Sequence, residues 1–167
     1  IQQTINTRNG EKTEEFIKFC RISSGDMGAV LNYNTDTTED NDTENFIELM
    51  RISFKSNFSK ISNWSDEISA KTRQDQVKFL KYCLDLIREC IIYNYSNHDL
   101  ASTTNKEQEF LKNFAKFIHE QNSLLIIDLF EEAVKNIKRN ANAKIIFFNL
   151  SLELVKLLKL KVKFAEN

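Results

Sequence analysis

The sequence predicts an all-α protein, and three observations predict it. Across 167 residues there is no proline and only three glycines, Gly10, Gly25 and Gly28, so almost nothing breaks a helix or builds a tight turn. Apolar residues make up 41% of the chain and recur at spacings of three and four from Thr43 almost to the end. The length suits one helical domain with a sizeable core, or that domain plus a small companion.

The first recognisable unit spans residues 13–34. Phe16, Ile17, Phe19, Cys20 and Ile22 form a short helical stripe, Ser23-Ser24-Gly25-Asp26 reads as a turn, and Ala29, Val30 and Leu31 begin a second stripe. Such a hairpin is too small to bury a core alone. Residues 35–42 carry no apolar side chain and are acidic, the composition of a solvated connector; an acidic docking loop is the other use of such a block. A boundary is expected here, giving a unit 1–42 and a helical domain 43–167.

Thr43 to Phe54 and Phe58 to Ile68 then read as two amphipathic helices. A long helix starts near Thr72. Val77, Leu80, Leu84, Ile87 and Ile91 form one stripe on it, and Phe79, Cys83, Leu86, Cys90 and Tyr93 lie beside that stripe, so a wide face must be covered. Thr104-x-x-Glu107 is a capping box opening a helix through Ile118, and Asn122-Ser123 starts another that Asn140-Ala141-Asn142 interrupts. From Ala143 to Leu160 apolar residues occupy nearly every side. That helix is either central to its own bundle or sandwiched against another subunit.

Acids and bases nearly balance, 24 against 23, for a net charge of −1, which excludes a protein that coats nucleic acid with its whole surface. Arg73, Arg88, Arg139 and the lysines 156, 159, 161 and 163 form either a basic rim facing DNA or an acidic partner, or an ordinary solvated surface. Cys20, Cys83 and Cys90 lack the spacing of a zinc site or a disulfide framework and read as reduced, buried thiols. His98 and His119 have no second ligand at metal spacing and read as surface residues. No phosphate-binding glycine loop and no carboxylate pair suited to a dry cleft is present, so neither cofactor, metal nor small-molecule substrate is expected, and no catalysis. The apolar runs fall short of a membrane span and the start has no signal pattern, which points to a cytoplasmic protein; a start at Ile1 points to a fragment of a longer one.

Two segments resemble a known family. Thr72-Arg73-Gln74-Asp75-Gln76-Val77-Lys78-Phe79-Leu80 with Arg88-Glu89, and Asn140-Ala141-Asn142-Ala143-Lys144-Ile145-Ile146-Phe147-Phe148 with the Leu-rich remainder, look like the C-terminal collar domain of bacterial DNA polymerase III clamp-loader subunits, closest to the delta-prime kind of Bacteroidetes type. The resemblance implies that residues 1–42 end the lid subdomain of an AAA+ module and that 43–167 form a helical collar. In ATP-hydrolysing relatives the Gly25 corner carries an arginine that reaches the nucleotide; here that place is Gly28, which implies a subunit incompetent for ATP and disfavours the gamma/tau type. The implied partners are gamma/tau and delta subunits in a hetero-pentamer, with the sliding clamp and primed DNA met through the whole complex. Arg73, Gln74, Gln76, Asn140 and Asn142 are the expected polar rim of the subunit interface. A helical adaptor that binds a peptide in a groove is the alternative from another class.

Overall fold

The computed structural model describes residues 38–95 and 105–160, and among them every regular element is a helix. Six α-helices follow in order: α1 (Thr38–Phe54), α2 (Phe58–Ser69), α3 (Arg73–Tyr95), α4 (Asn105–Phe114), α5 (Glu120–Lys138) and α6 (Ala143–Leu157). A short 3-10 turn, Ala115–Phe117, separates α4 from α5. The all-α expectation therefore holds for the described residues. The hairpin of 13–34 and its Gly25 and Gly28 corner lie outside them, as do His98, Cys20 and the Thr104 cap.

The junctions follow from local chemistry. Ser56 takes a left-handed conformation (φ 53°) to turn the chain after α1, and the Asn57 side chain then caps α2 by accepting the Lys60 N–H at 3.1 Å. Asn140, also left-handed at φ 62°, ends α5, and Asn142 caps α6 by accepting the Ile145 N–H at 3.3 Å. Asparagine is among the side chains that best tolerate both positions, which is why Asn140-Ala141-Asn142 interrupts two strongly apolar helices so sharply.

Two elements depart from the sequence reading. The first is the acidic block: α1 begins at Thr38, so residues 38–42, read as part of a solvated connector, are helical. Asp42 is buried, 3.6 Å from Lys71 Nζ, and the adjacent Thr43 hydroxyl lies 2.6 Å from the Tyr82 hydroxyl. A polar run reads as a connector when its tertiary partners, here 29 and 39 residues away, are out of sight. The second is the start of α5. Glu120 opens it, and Asn122 sits inside the first turn, fully buried. The Asn122 side chain accepts the His119 N–H at 2.8 Å and donates to the carbonyls of Phe117 at 2.9 Å and Leu157 at 3.0 Å.

One core runs through the bundle. Trp64 of α2, Phe79 of α3 and Phe147 of α6 form a triangle with ring centroids 5.9 to 6.5 Å apart, joining three helices at one point. Both stripes of α3 are covered: Phe79, Leu80, Cys83, Leu84, Leu86, Ile87 and Cys90 are buried, with α5 against one side and α4 against another. The last helix buries one face in the bundle. Phe147, Leu150, Leu154 and Leu158 are buried, most of its other apolar residues are half-buried, and Ile145 alone among the apolar residues of α6 is largely exposed.

Candidate functional site

The bundle has two chemically different ends, and side-chain contacts define them. At one end Arg73, first residue of α3, donates to the carbonyls of Ile137 at 3.2 Å, Ala141 at 3.2 Å and Asn140 at 3.4 Å, where α5 stops and α6 starts. Gln76 donates from Nε2 to the carbonyls of Ser69 at 3.0 Å and Lys71 at 2.8 Å, where α2 stops. Lys144 pairs with Asp66 across the α6 start and the α2 end. This end is polar.

At the opposite end the same helices meet in reverse. Asn94 near the end of α3 donates to Ala115 O at 2.9 Å and Ile118 O at 2.6 Å; Asn122 joins the α5 start to the α6 end, and Lys159 hydrogen-bonds Ser56 in the α1–α2 turn. Phe54 packs on Phe117 at 4.5 Å. Large apolar side chains are left in solvent here. Phe58 is 57% exposed, Tyr95 74%, Leu124 70% and Leu125 49%, with Phe54, Ile92 and Leu160 also exposed. Ile145 is the exposed large apolar residue of the polar end.

The expected rim residues divide on this geometry. Arg73, Gln74 and Asn140 come together around an open groove of about 460 Å3 between α3 and α5. Asn142 is exposed but engaged in capping α6. Gln76 does not reach the surface: it is 2% exposed, its Nε2 donates to the Ser69 and Lys71 carbonyls where α2 ends, and its Oε1 is buried without a hydrogen-bond partner. Its polarity gave no sign of which way it faces, because a buried glutamine and an exposed one look alike in sequence. The two resembling segments, far apart in sequence, do meet at one corner through Arg73, and that meeting also has a purely structural use, the satisfaction of α5 carbonyls.

The groove is lined by four cations, Arg73, Lys78, Lys81 and Lys138, by the amides Gln74 and Asn140, and by a floor of Val77 and Ile137. No carboxylate lines it. Arg139 does not line it, and Arg88 is committed to Asp85 at 3.2 Å and Glu131 at 3.7 Å, so most of the basic rim read from the sequence is dispersed.

A second groove, about 730 Å3, runs between α1 and α4. Ile47, Phe54, Phe110, Phe114 and Phe117 make its walls, with Glu44 and Glu48 on one stretch of the α1 rim and Arg51 and Lys55 on the next. Phe110 and Phe114 stack at 4.9 Å, so the wall is a continuous aromatic surface.

Burial pushes the Cys83 thiol well up and the Cys90 thiol up to about 12, which leaves both protonated near neutral pH. Burial also raises Asp42, against the opposing pull of Lys71 and Lys78. Among the described residues no group of three metal-ligating side chains gathers, and no helix is long and apolar enough to cross a membrane. Comparison of the chain with protein-family models, with curated proteins and with solved structures finds no match.

Proposed function

We propose that this helical bundle is an assembly module without chemistry of its own, and that its specific form is the collar of a clamp-loader subunit of the delta-prime kind. The general reading rests on one observation: among the described residues, seven of the eight exposed large apolar side chains lie at a single end of the bundle. Scattered single apolar residues are ordinary on a protein surface, but a gathered set has the composition of a partner-binding patch. The specific form rests on the resemblance of the two segments that meet at Arg73. In that form the module packs beside gamma/tau and delta subunits, and the sliding clamp and primed DNA are met through the complex.

Co-purification and light scattering of the chain with the gamma/tau and delta subunits of its source test the specific form. A complex of defined stoichiometry at micromolar concentration is expected. If the chain stays alone in both mixtures, the collar reading fails.

The α1–α4 groove favours a second reading, an adaptor that receives an amphipathic helix. The order Glu44, Glu48, Arg51, Lys55 selects an occupant whose own charges run from basic to acidic in the same direction. A helical peptide of that pattern should bind, and one with the charge order reversed should bind more weakly; equal binding removes this reading.

A further inference from the structure

We propose that the groove between α1 and α4 is filled by this chain's own residues 13–22, which a partner helix must displace in order to enter. This rests on the groove's being a receptor for an amphipathic helix, and not on the collar reading. The segment lies outside the described residues and joins α1 through residues 23–37. The groove it would fill is apolar and only partly covered: Ile47, Phe110 and Phe117 are half-buried and Phe54 is 40% exposed. Phe46 meets Phe110 and Phe54 meets Phe117, at ring-centroid distances of 5.4 and 4.5 Å, so α4 follows α1 in the same direction. Glu109 therefore lies towards the start of α1, on the side of Glu48, and Arg51 and Lys55 hold the other end of the groove. Among the described residues these four charges take part in no ion pair, so each is available to an occupant.

Residues 13–22 carry the complement of that surface. Phe16, Ile17, Phe19 and Cys20 recur at helical spacing, and Glu14 and Arg21 flank their stripe on one side, seven residues apart. Glu48 and Lys55 are also seven residues apart, about 10 Å along a helix. Laid antiparallel to α1 with its stripe on the aromatic wall, the segment sets Glu14 against Arg51 and Lys55, and Arg21 against Glu48 and Glu109. Laid parallel, it would oppose like charges, so charge selects one orientation. Glu48 stands about 15 Å along α1 from Thr38, and residues 23–37 can span up to about 50 Å, so the connection reaches. A tether of that length holds the segment at a local concentration on the order of mM, and a modest intrinsic affinity then suffices to keep the groove filled. The hairpin of 13–34 is also too small to bury this stripe by itself, so the stripe needs a surface as much as the groove needs an occupant.

Cys20 lies in the stripe and serves as the reporter in the full chain, because Cys83 and Cys90 are buried. Its alkylation by iodoacetamide, read by mass spectrometry, should be about tenfold slower in the chain than in a free peptide of residues 11–24. Arg51→Glu with Lys55→Glu should raise the rate in the chain about tenfold, and adding Glu14→Lys with Glu15→Lys should restore the slow rate. The pair Lys60→Glu, Lys135→Glu, exposed and outside the groove, should leave the rate as in the parent. Urea midpoints establish that each variant is folded. Cys20 reacting as fast as in the peptide overturns the proposal, and so does equal acceleration in the control pair. A charge exchange that fails to restore protection also overturns it, because the segment would then be covered by another surface. Protection that weakens on dilution does the same, since the occupant would be a second copy. An added helical peptide with the basic-to-acidic charge order should displace the segment and speed the alkylation. Binding of that peptide to a chain whose Cys20 is unprotected removes the internal occupant but keeps the groove as a receptor; no binding and no protection removes both.

Discussion

Arg73 shows how one side chain can carry both a resemblance and a fold. A helix leaves its last four carbonyls without intrahelical partners, and the Arg73 guanidinium supplies donors to three around the α5–α6 junction. Arg73→Ala should lower stability by about 1.5–3 kcal/mol in urea denaturation, the range for hydrogen bonds to a charged group. Arg73→Lys should recover only part of that, since an ammonium cannot reproduce the planar fork. Asp42 gives a pH signature of opposite origin. Burial raises its folded-state pKa above the ordinary 3.8, so the folded state holds the proton more tightly than the unfolded chain. The stability it contributes is therefore fully present below pH 3.8 and is lost as pH rises through the folded value. Asp42→Asn should remove that dependence: relative to the parent, its stability at pH 7 should exceed its stability at pH 3.5, read from paired urea titrations. A constant difference between the two proteins would show that Lys71 offsets the burial in full.

At the scale of elements, the aromatic triangle of Trp64, Phe79 and Phe147 is where α2, α3 and α6 depend on one another. Phe147→Ala leaves a cavity at the meeting point of three helices and should cost about 3–5 kcal/mol. Trp64→Phe should cost far less, because the indole Nε1 is buried without a hydrogen-bond partner and its removal relieves that defect while a ring is kept. Trp64 is the sole tryptophan, so the fluorescence of the Phe147→Ala variant reads the loss of the triangle directly. The same elements mark what the sequence could and could not reveal. The stripes on α3, the Asn140–Asn142 break and the apolar character of α6 were legible because periodicity and capping are local properties. The first turns of α1, the α5 start at Glu120 and the burial of Gln76 were not. Each is fixed by a contact with a distant residue or helix end, Lys71 for Asp42, the Leu157 carbonyl for Asn122, the Ser69 and Lys71 carbonyls for Gln76.

For the whole molecule, the consequential fact is where apolar surface remains. The sequence left the last helix either internal or packed on a partner. The fold buries one face of that helix, keeps Ile145 exposed and several of its other apolar residues half-buried, and leaves further apolar side chains at the end where α5 starts and α1, α3 and α6 stop. The rim residues Arg73, Gln74, Asn140 and Asn142 lie at the other end, away from this apolar surface, and Gln76 is buried. A partner that buries Leu124 and Leu125, each already partly covered, gains about 1–2 kcal/mol from each. Leu124→Glu with Leu125→Glu should therefore weaken association at least tenfold, and it should leave the urea midpoint nearly unchanged because both side chains already face solvent. Gln74→Ala, exposed in the groove at the far end, serves as the counterpart. If association survives the double leucine change and fails with Gln74→Ala, the interface is the polar rim and the apolar end serves something else. If the leucine change alone abolishes it, the subunit contact is made through the apolar end, and the Arg73 corner is left to its structural role.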